Sequence, residues 1–172
     1  VGLGSINLAV AERLTPFGCR ILAIRRTNKP PPLETVKVIG SLEEAISEAD
    51  HLVLAAPLTL NTHHLVNQKL LASAKKGIHI VNVARGEIID QEALRLALED
   101  GTVGRASLDV ADPEPLPSGH WLYQHPRVLF SPHISWTDPR YLQRATTTFA
   151  DNLERWLTKQ QLSGQVDLEA GY

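Results

Sequence analysis

Methionine is absent and cysteine occurs once, at Cys19, so the chain can form no internal disulfide. With no signal pattern at its amino end, a reducing cytosolic setting is expected. A strong excess of charge is also lacking. Lys+Arg 17 against Asp+Glu 19 leaves a net charge of −2, so no overall attraction to nucleic acid or to an anionic membrane is expected. The longest apolar runs, near His51–Leu58 and Ile78–Ala84, fall far short of the roughly 20 residues of a membrane helix, so a soluble chain is expected. Hydrophobic residues at 43% and charged residues at 21% nevertheless supply enough apolar side chain for a core. A length of 172 residues favours one compact domain.

The chain opens Val1-Gly2-Leu3-Gly4, with only Val1 ahead of the glycines, where a strand of about 5–6 residues is usual. This reads as a fragment whose first strand is entered part-way. Apolar residues at three- and four-residue spacing predict a helix over Ile6–Phe17, stopped by Gly18, with a strand over Arg20–Ile24. Pro30-Pro31-Pro32 interrupts regular structure before a short strand, Val36–Ile39. Ser41 and Glu44 form a candidate capping box for a helix over Leu42–Ala49. The runs His51–Ala56 and Ile78–Val83 suit strands buried on both faces of a parallel sheet. Asp90 and Gly101 bound a helix over Gln91–Glu99, and Arg105–Val110 and Val128–Phe130 read as two more strands. Asp138-Pro139 predicts a cap and first helical position for a long helix with Leu142, Ala145, Phe149, Leu153 and Trp156 on one face. This alternation is that of an α/β, Rossmann-type doubly wound parallel sheet in three layers.

Gly2-x-Gly4 lies between a strand and a helix, where backbone N–H groups can approach a pyrophosphate; a plain structural turn is the alternative. The third glycine of G-x-G-x-x-G is replaced by Asn7, expected to widen the helix–sheet gap or weaken binding. About 20 residues on, where an NAD site offers a carboxylate to the ribose, stand Arg25 and Arg26. A guanidinium pairs with a 2′-phosphate that a carboxylate would repel, although two arginines can also simply solvate a strand end.

Three further segments complete the pattern. They are Ala49-Asp50-His51-Leu52-Val53-Leu54 leading to Pro57-Leu58-Thr59; Val81-Asn82-Val83-Ala84-Arg85-Gly86; and Leu108-Asp109-Val110-Ala111-Asp112-Pro113-Glu114-Pro115-Leu116 followed by Ser131-Pro132-His133-Ile134. In this order the chain closely resembles the D-isomer-specific 2-hydroxyacid dehydrogenases over nearly its whole length. That resemblance implies a dinucleotide-binding domain over residues 1–136. Residues 137–172 would then be a helix and tail returning to an amino-terminal substrate half, of which nothing is seen here. It also implies a cofactor lying along Gly2, Gly4, Ser5, Ile6, Arg25, Arg26, Pro57, Thr62, Ala84, Arg85, Asp109 and His133, and a homodimer.

The chemistry can also be argued from the residues. Reducing a 2-oxo acid requires a cation for the carboxylate, a proton donor for the carbonyl oxygen and a hydride source. Arg85, at the end of a predicted buried strand, suits the carboxylate; a structural salt bridge is the alternative. His133 suits the proton donor, and Glu114 would favour its imidazolium and hold its orientation. By resemblance these three match the family's substrate arginine, acid/base histidine and histidine-paired glutamate. Asp109 matches a family aspartate near the nicotinamide, or serves only as a strand-end cap. Ala111 stands where relatives often have an aromatic. Trp136 is similar to the glyoxylate and hydroxypyruvate reductase branch, unless it is a core or lid aromatic. The other six histidines lack companions at ligand spacing, so no metal is expected.

The leading expectation is therefore a reductase of small 2-oxo acids, glyoxylate or hydroxypyruvate, preferring NADPH with NAD possible. These residues alone would bind nucleotide without turnover. The alternative is a non-catalytic, nucleotide-sensing dimer like the corepressors that share the fold, and turnover by the full-length protein separates the two.

Overall fold

The computed structural model describes residues 1–26, 30–166 and 168. The chain divides into two compact units, Val1–His133 and Ile134–Tyr172.

In the first unit, α1 (Ser5–Leu14) runs into a 3-10 turn, Thr15–Phe17, and ends where Gly18 takes a left-handed φ of 70°. Strands β1 (Ile21–Ala23) and β2 (Val36–Val38) pair in parallel, and Ala11, Ala23 and Val36 form a small core between them and α1. A second parallel sheet has the order β3 (His51–Leu54), β4 (Ile78–Asn82), β5 (Val103–Leu108), β6 (Val128–Phe130). Val1 and Gly2 span the gap between the two sheets. Gly2 N donates to Ile24 O at 2.9 Å, and Ala55 N donates to Val1 O at 3.1 Å. The result is a Rossmann-like parallel sheet with flanking helices.

The main core lies where α2 (Gln68–Leu71) and α3 (Gln91–Glu99) cover one face of the four-stranded sheet. Ile78, Ile80, Leu94, Leu98 and Val103 are at most 1% exposed there. Helix α3 forms as its sequence predicts. The Asp90 carboxylate accepts from the N–H groups of Glu92 and Ala93, and Gly101 closes the far end at a φ of 80°. Burying a leucine such as Leu98 contributes about 2 kcal/mol, so the α3 interface is a substantial part of the stability of this unit.

Three expectations from sequence are corrected here. The segment 42–49 is a series of turns rather than a helix, although Leu42, Ala45 and Ile46 are buried as a helical face would be. The Glu43 backbone N–H, and then the Ser41 hydroxyl, hold the Glu43 carboxyl below the usual range. Strands β3 and β4 are deeply buried on one face only: His51, Val53, His79 and Val81 alternate with the core residues and remain exposed or half-buried. In the second unit, α4 spans Tyr141–Leu157, starting later than Asp138-Pro139 suggests. Asp138 Oδ1 accepts from Arg140 N at 2.7 Å and its carbonyl from Tyr141 N at 2.8 Å, so Asp138 and Pro139 build a turn ahead of the helix. The apolar stripe on α4 exists, but Leu142, Phe149, Leu153 and Trp156 are exposed.

On the less covered sheet face, His79 shares its Nε2 with Ser107 Oγ at 2.9 Å and lies edge-on to His51 with ring centroids 5.4 Å apart. Burial, then the nearby charges of His51 and Arg105, push the His79 pKa below its ordinary value of 6.5. Because the folded-state value is the lower one, the unfolded chain binds this proton more readily. Stability from neutral His79 is thus complete above about pH 6.5 and declines as pH falls through the folded-state value. Urea unfolding across this range should show that decline in the parent and a flatter profile for His79→Gln; identical profiles would contradict it.

Candidate active site at the carboxyl edge of the sheet

The glycine turn occupies the gap between β1 and β3. Gly2 holds a φ of 79°, and a Cβ there would meet Ala55 O and Ala56 Cα at 3.0 Å, so the turn requires glycine on both counts. Gly4 is the N-cap of α1. No side chain caps it, its first turn (with Ser5 and Ile6) holds no acidic residue, and the space where its Cβ would stand is open to 4 Å. Unspent N–H groups, absent negative charge and open space together fit a dinucleotide diphosphate. Arg25 directly follows Ile24, the residue bonded to Gly2, and is half-buried, while Arg26 is exposed. Asn7 is 9% exposed and turns its amide toward the turn. It does not prevent α1 from closing on the sheet, because Ala11 packs against Ala23 and Val36 one turn later.

Beyond β3, Pro57 and Thr62 are brought together. Thr62 Oγ1 donates to Pro57 O at 2.7 Å and accepts from Thr59 N at 2.8 Å. The Thr62 hydroxyl therefore shapes this loop from within.

The remaining site residues hang on a continuous hydrogen-bond chain. Asn82, the last residue of β4, is 1% exposed. Its Oδ1 accepts from Ala84 N at 3.0 Å and its Nδ2 donates to Arg85 O at 2.9 Å, which fixes the backbone that carries the exposed Arg85. Asn82 O in turn accepts from Asp109 N at 2.9 Å, and Asp109 O accepts from His133 N at 2.7 Å. The Asp109 side chain, in a residue 4% exposed, accepts from Ser131 Oγ at 2.5 Å. His133 has a φ of 54°, uncommon outside glycine though less so for histidine, and its N–H is held by both Asp109 O and Ser131 O. Its Nδ1 lies 2.7 Å from Glu114 Oε1, with both side chains a little over one-third exposed.

A second contact ties the Arg85 loop to the loop carrying Glu114. Gly86 sits so close to Ala111 that a Cβ would lie 2.0 Å from the Ala111 carbonyl carbon. Gln91 Nε2 also donates to Asp112 O. Ala111, 3% exposed, meets Gly86 through its backbone carbonyl.

The expected neighbours Glu114 and His133 thus meet in space, and Asp109 proves to be a junction between strands. Asn82 and Ser131 escaped the reading from sequence, although a polar residue ending an otherwise apolar strand is the signal that could have found Asn82. Gly86→Ala should destabilise the chain by about 1–3 kcal/mol or more, because backbone must move to admit the methyl group. Urea unfolding measures this, and a midpoint equal to the parent's would show that the loops do not interlock.

Comparison with known proteins closes the identification. Residues 1–135 match the family described as D-isomer specific 2-hydroxyacid dehydrogenase, NAD binding domain. A glyoxylate reductase of Thermococcus gammatolerans is 42% identical over 135 residues, covering 78% of this chain and 40% of that protein. A formate dehydrogenase of Arabidopsis thaliana is 38% identical, covering 91% of this chain and 41% of that one. The chain thus spans about two fifths of the length of these curated relatives. A D-isomer specific 2-hydroxyacid dehydrogenase of Xanthobacter autotrophicus, solved with NADPH, superposes with a TM-score of 0.90 at 33% identity over 99% of this chain and 70% of that one. The NADPH-dependent glyoxylate/hydroxypyruvate reductase of Sinorhizobium meliloti, solved with NADP, gives 0.90 at 25% identity over 99% and 55%. The chain belongs to the D-isomer specific 2-hydroxyacid dehydrogenase family and carries its NAD-binding domain.

Proposed function

We propose that this chain is the cofactor-binding part of an NADPH-preferring reductase of small 2-oxo acids such as glyoxylate or hydroxypyruvate. The observation that carries this reading is the His133 Nδ1 to Glu114 Oε1 contact of 2.7 Å, tied through Asp109 and Asn82 to the backbone of Arg85. A domain that only senses nucleotide has no need of an oriented acid/base pair tied to the backbone of an arginine loop.

Arg85 holds the substrate carboxylate through its planar guanidinium, which orients the keto group. With Nδ1–H of His133 directed at Glu114, the ring delivers a proton from Nε2 to the carbonyl oxygen when both nitrogens are protonated, and is left as the neutral Nδ1–H form. The Glu114 carboxylate fixes the orientation of the ring. Ser5 and Ile6 supply helix N–H groups to the diphosphate, and Arg25 with Arg26 pairs with the 2′-phosphate. When bound, the dinucleotide supplies the hydride.

In the full-length protein, His133→Ala should lower kcat for glyoxylate reduction by about 100-fold or more while NADPH affinity stays within about twofold, because general acid catalysis contributes 10²–10⁴-fold. Glu114→Gln should add less than its separate effect on top of His133→Ala, since the pair acts as a unit. Unchanged turnover in His133→Ala would overturn the assignment. Independently, Arg25→Asp should weaken NADPH by about 1.5–3 kcal/mol, the range for a charge-assisted hydrogen bond, and affect NADH less. Equal losses for the two cofactors in binding titrations would remove the arginines from the 2′-phosphate.

A further inference from the structure

We propose that Asn7 is a positioning residue for the diphosphate of the cofactor, clamping the glycine turn from inside at the place where the fingerprint has its third glycine. The inference rests on the cofactor reading above. In the usual arrangement the third glycine serves only close approach of helix to strand. Here the side chain is 9% exposed and makes two inward bonds: Nδ2 donates to Val1 O at 2.9 Å and to Gly2 O at 2.6 Å. Val1 O also accepts from Ala55 N, and Gly2 N donates to Ile24 O. Asn7 therefore ties the turn to backbone already bonded on both sides of the gap between β1 and β3.

Both amide protons are spent on these carbonyls, and Asn7 Oδ1 is left buried with no donor among the described residues. An unpaired buried acceptor destabilises a folded chain, and alanine or glycine at position 7 would not carry it. The side chain is thus oriented for its two donor bonds rather than for its own full satisfaction. What those bonds accomplish is electrostatic. They occupy two carbonyl oxygens beside the helix N-terminus, whose negative ends would oppose a diphosphate if the turn relaxed, and they leave the unspent N–H groups of Ser5 and Ile6 to face the ligand.

Calorimetric titration of the full chain with NADPH and with adenosine 2′-monophosphate, which lacks the diphosphate, tests this. Asn7→Ala should bind NADPH about tenfold more weakly, since two hydrogen bonds that order the turn are gone, while adenosine 2′-monophosphate binds within about twofold of the parent. Asn7→Gly should behave likewise, although it restores the glycine fingerprint. NADPH affinity equal to the parent's in either variant would overturn the proposal. Parallel losses for both ligands would also overturn it, because they would mark a residue that merely holds the fold. A parent chain that binds neither ligand would instead remove the cofactor reading itself.

Discussion

The candidate site depends on a buried hydrogen-bond chain that runs through Asn82 and Asp109. Polar groups at the inner ends of β4 and β5 each lose about 1–3 kcal/mol if left unpaired, so such residues persist in a core only when their partners are fixed. Here Asn82 holds both Ala84 N and Arg85 O, while Asp109 receives Ser131 Oγ and its backbone joins Asn82 to His133. Any two of these residues are joined by no more than three hydrogen bonds. The apolar packing of α3 on β4 and β5 gives the chain a rigid floor, and the Gly86–Ala111 approach closes it from above.

The other side of the site is built on different terms. The glycine turn lies between β1 and β3, where Gly2 N donates to Ile24 O and Val1 O accepts from Ala55 N. Asn7 supplies two side-chain donors to this turn. In the proposed reading the two parts divide the work, one holding groups that would move a proton and the other holding groups that would accept an anion.

Much of this was legible in the sequence because it depends on local rules. Asp90 and Gly101 bound α3 by capping alone, and Gly2 demands a turn by its position. Glu114 and His133 were expected to pair, and they do. What the sequence concealed depends on partners distant along the chain. Ser41 and Glu44 predict a helix over 42–49 by local rules, but the segment folds as successive turns that still bury Leu42, Ala45 and Ile46. Burial of β3 and β4 on both faces was inferred from apolar runs, yet His51 and His79 lie on a face that remains partly open. The role of Ser131 exists only once Asp109 receives its hydroxyl, and Asn82 shows no more in the sequence than a polar residue at a strand end.

The central claim is that this framework holds the His133 ring with Nδ1–H donating to Glu114 and Nε2 turned to the ligand. Long-range ¹⁵N–¹H correlation spectroscopy of the neutral imidazole reads the tautomer directly, with the His133 signals identified by their loss in His133→Ala. The account predicts the Nδ1–H tautomer in the parent and its conversion to Nε2–H in Glu114→Ala. An Nε2–H tautomer in the parent would contradict it.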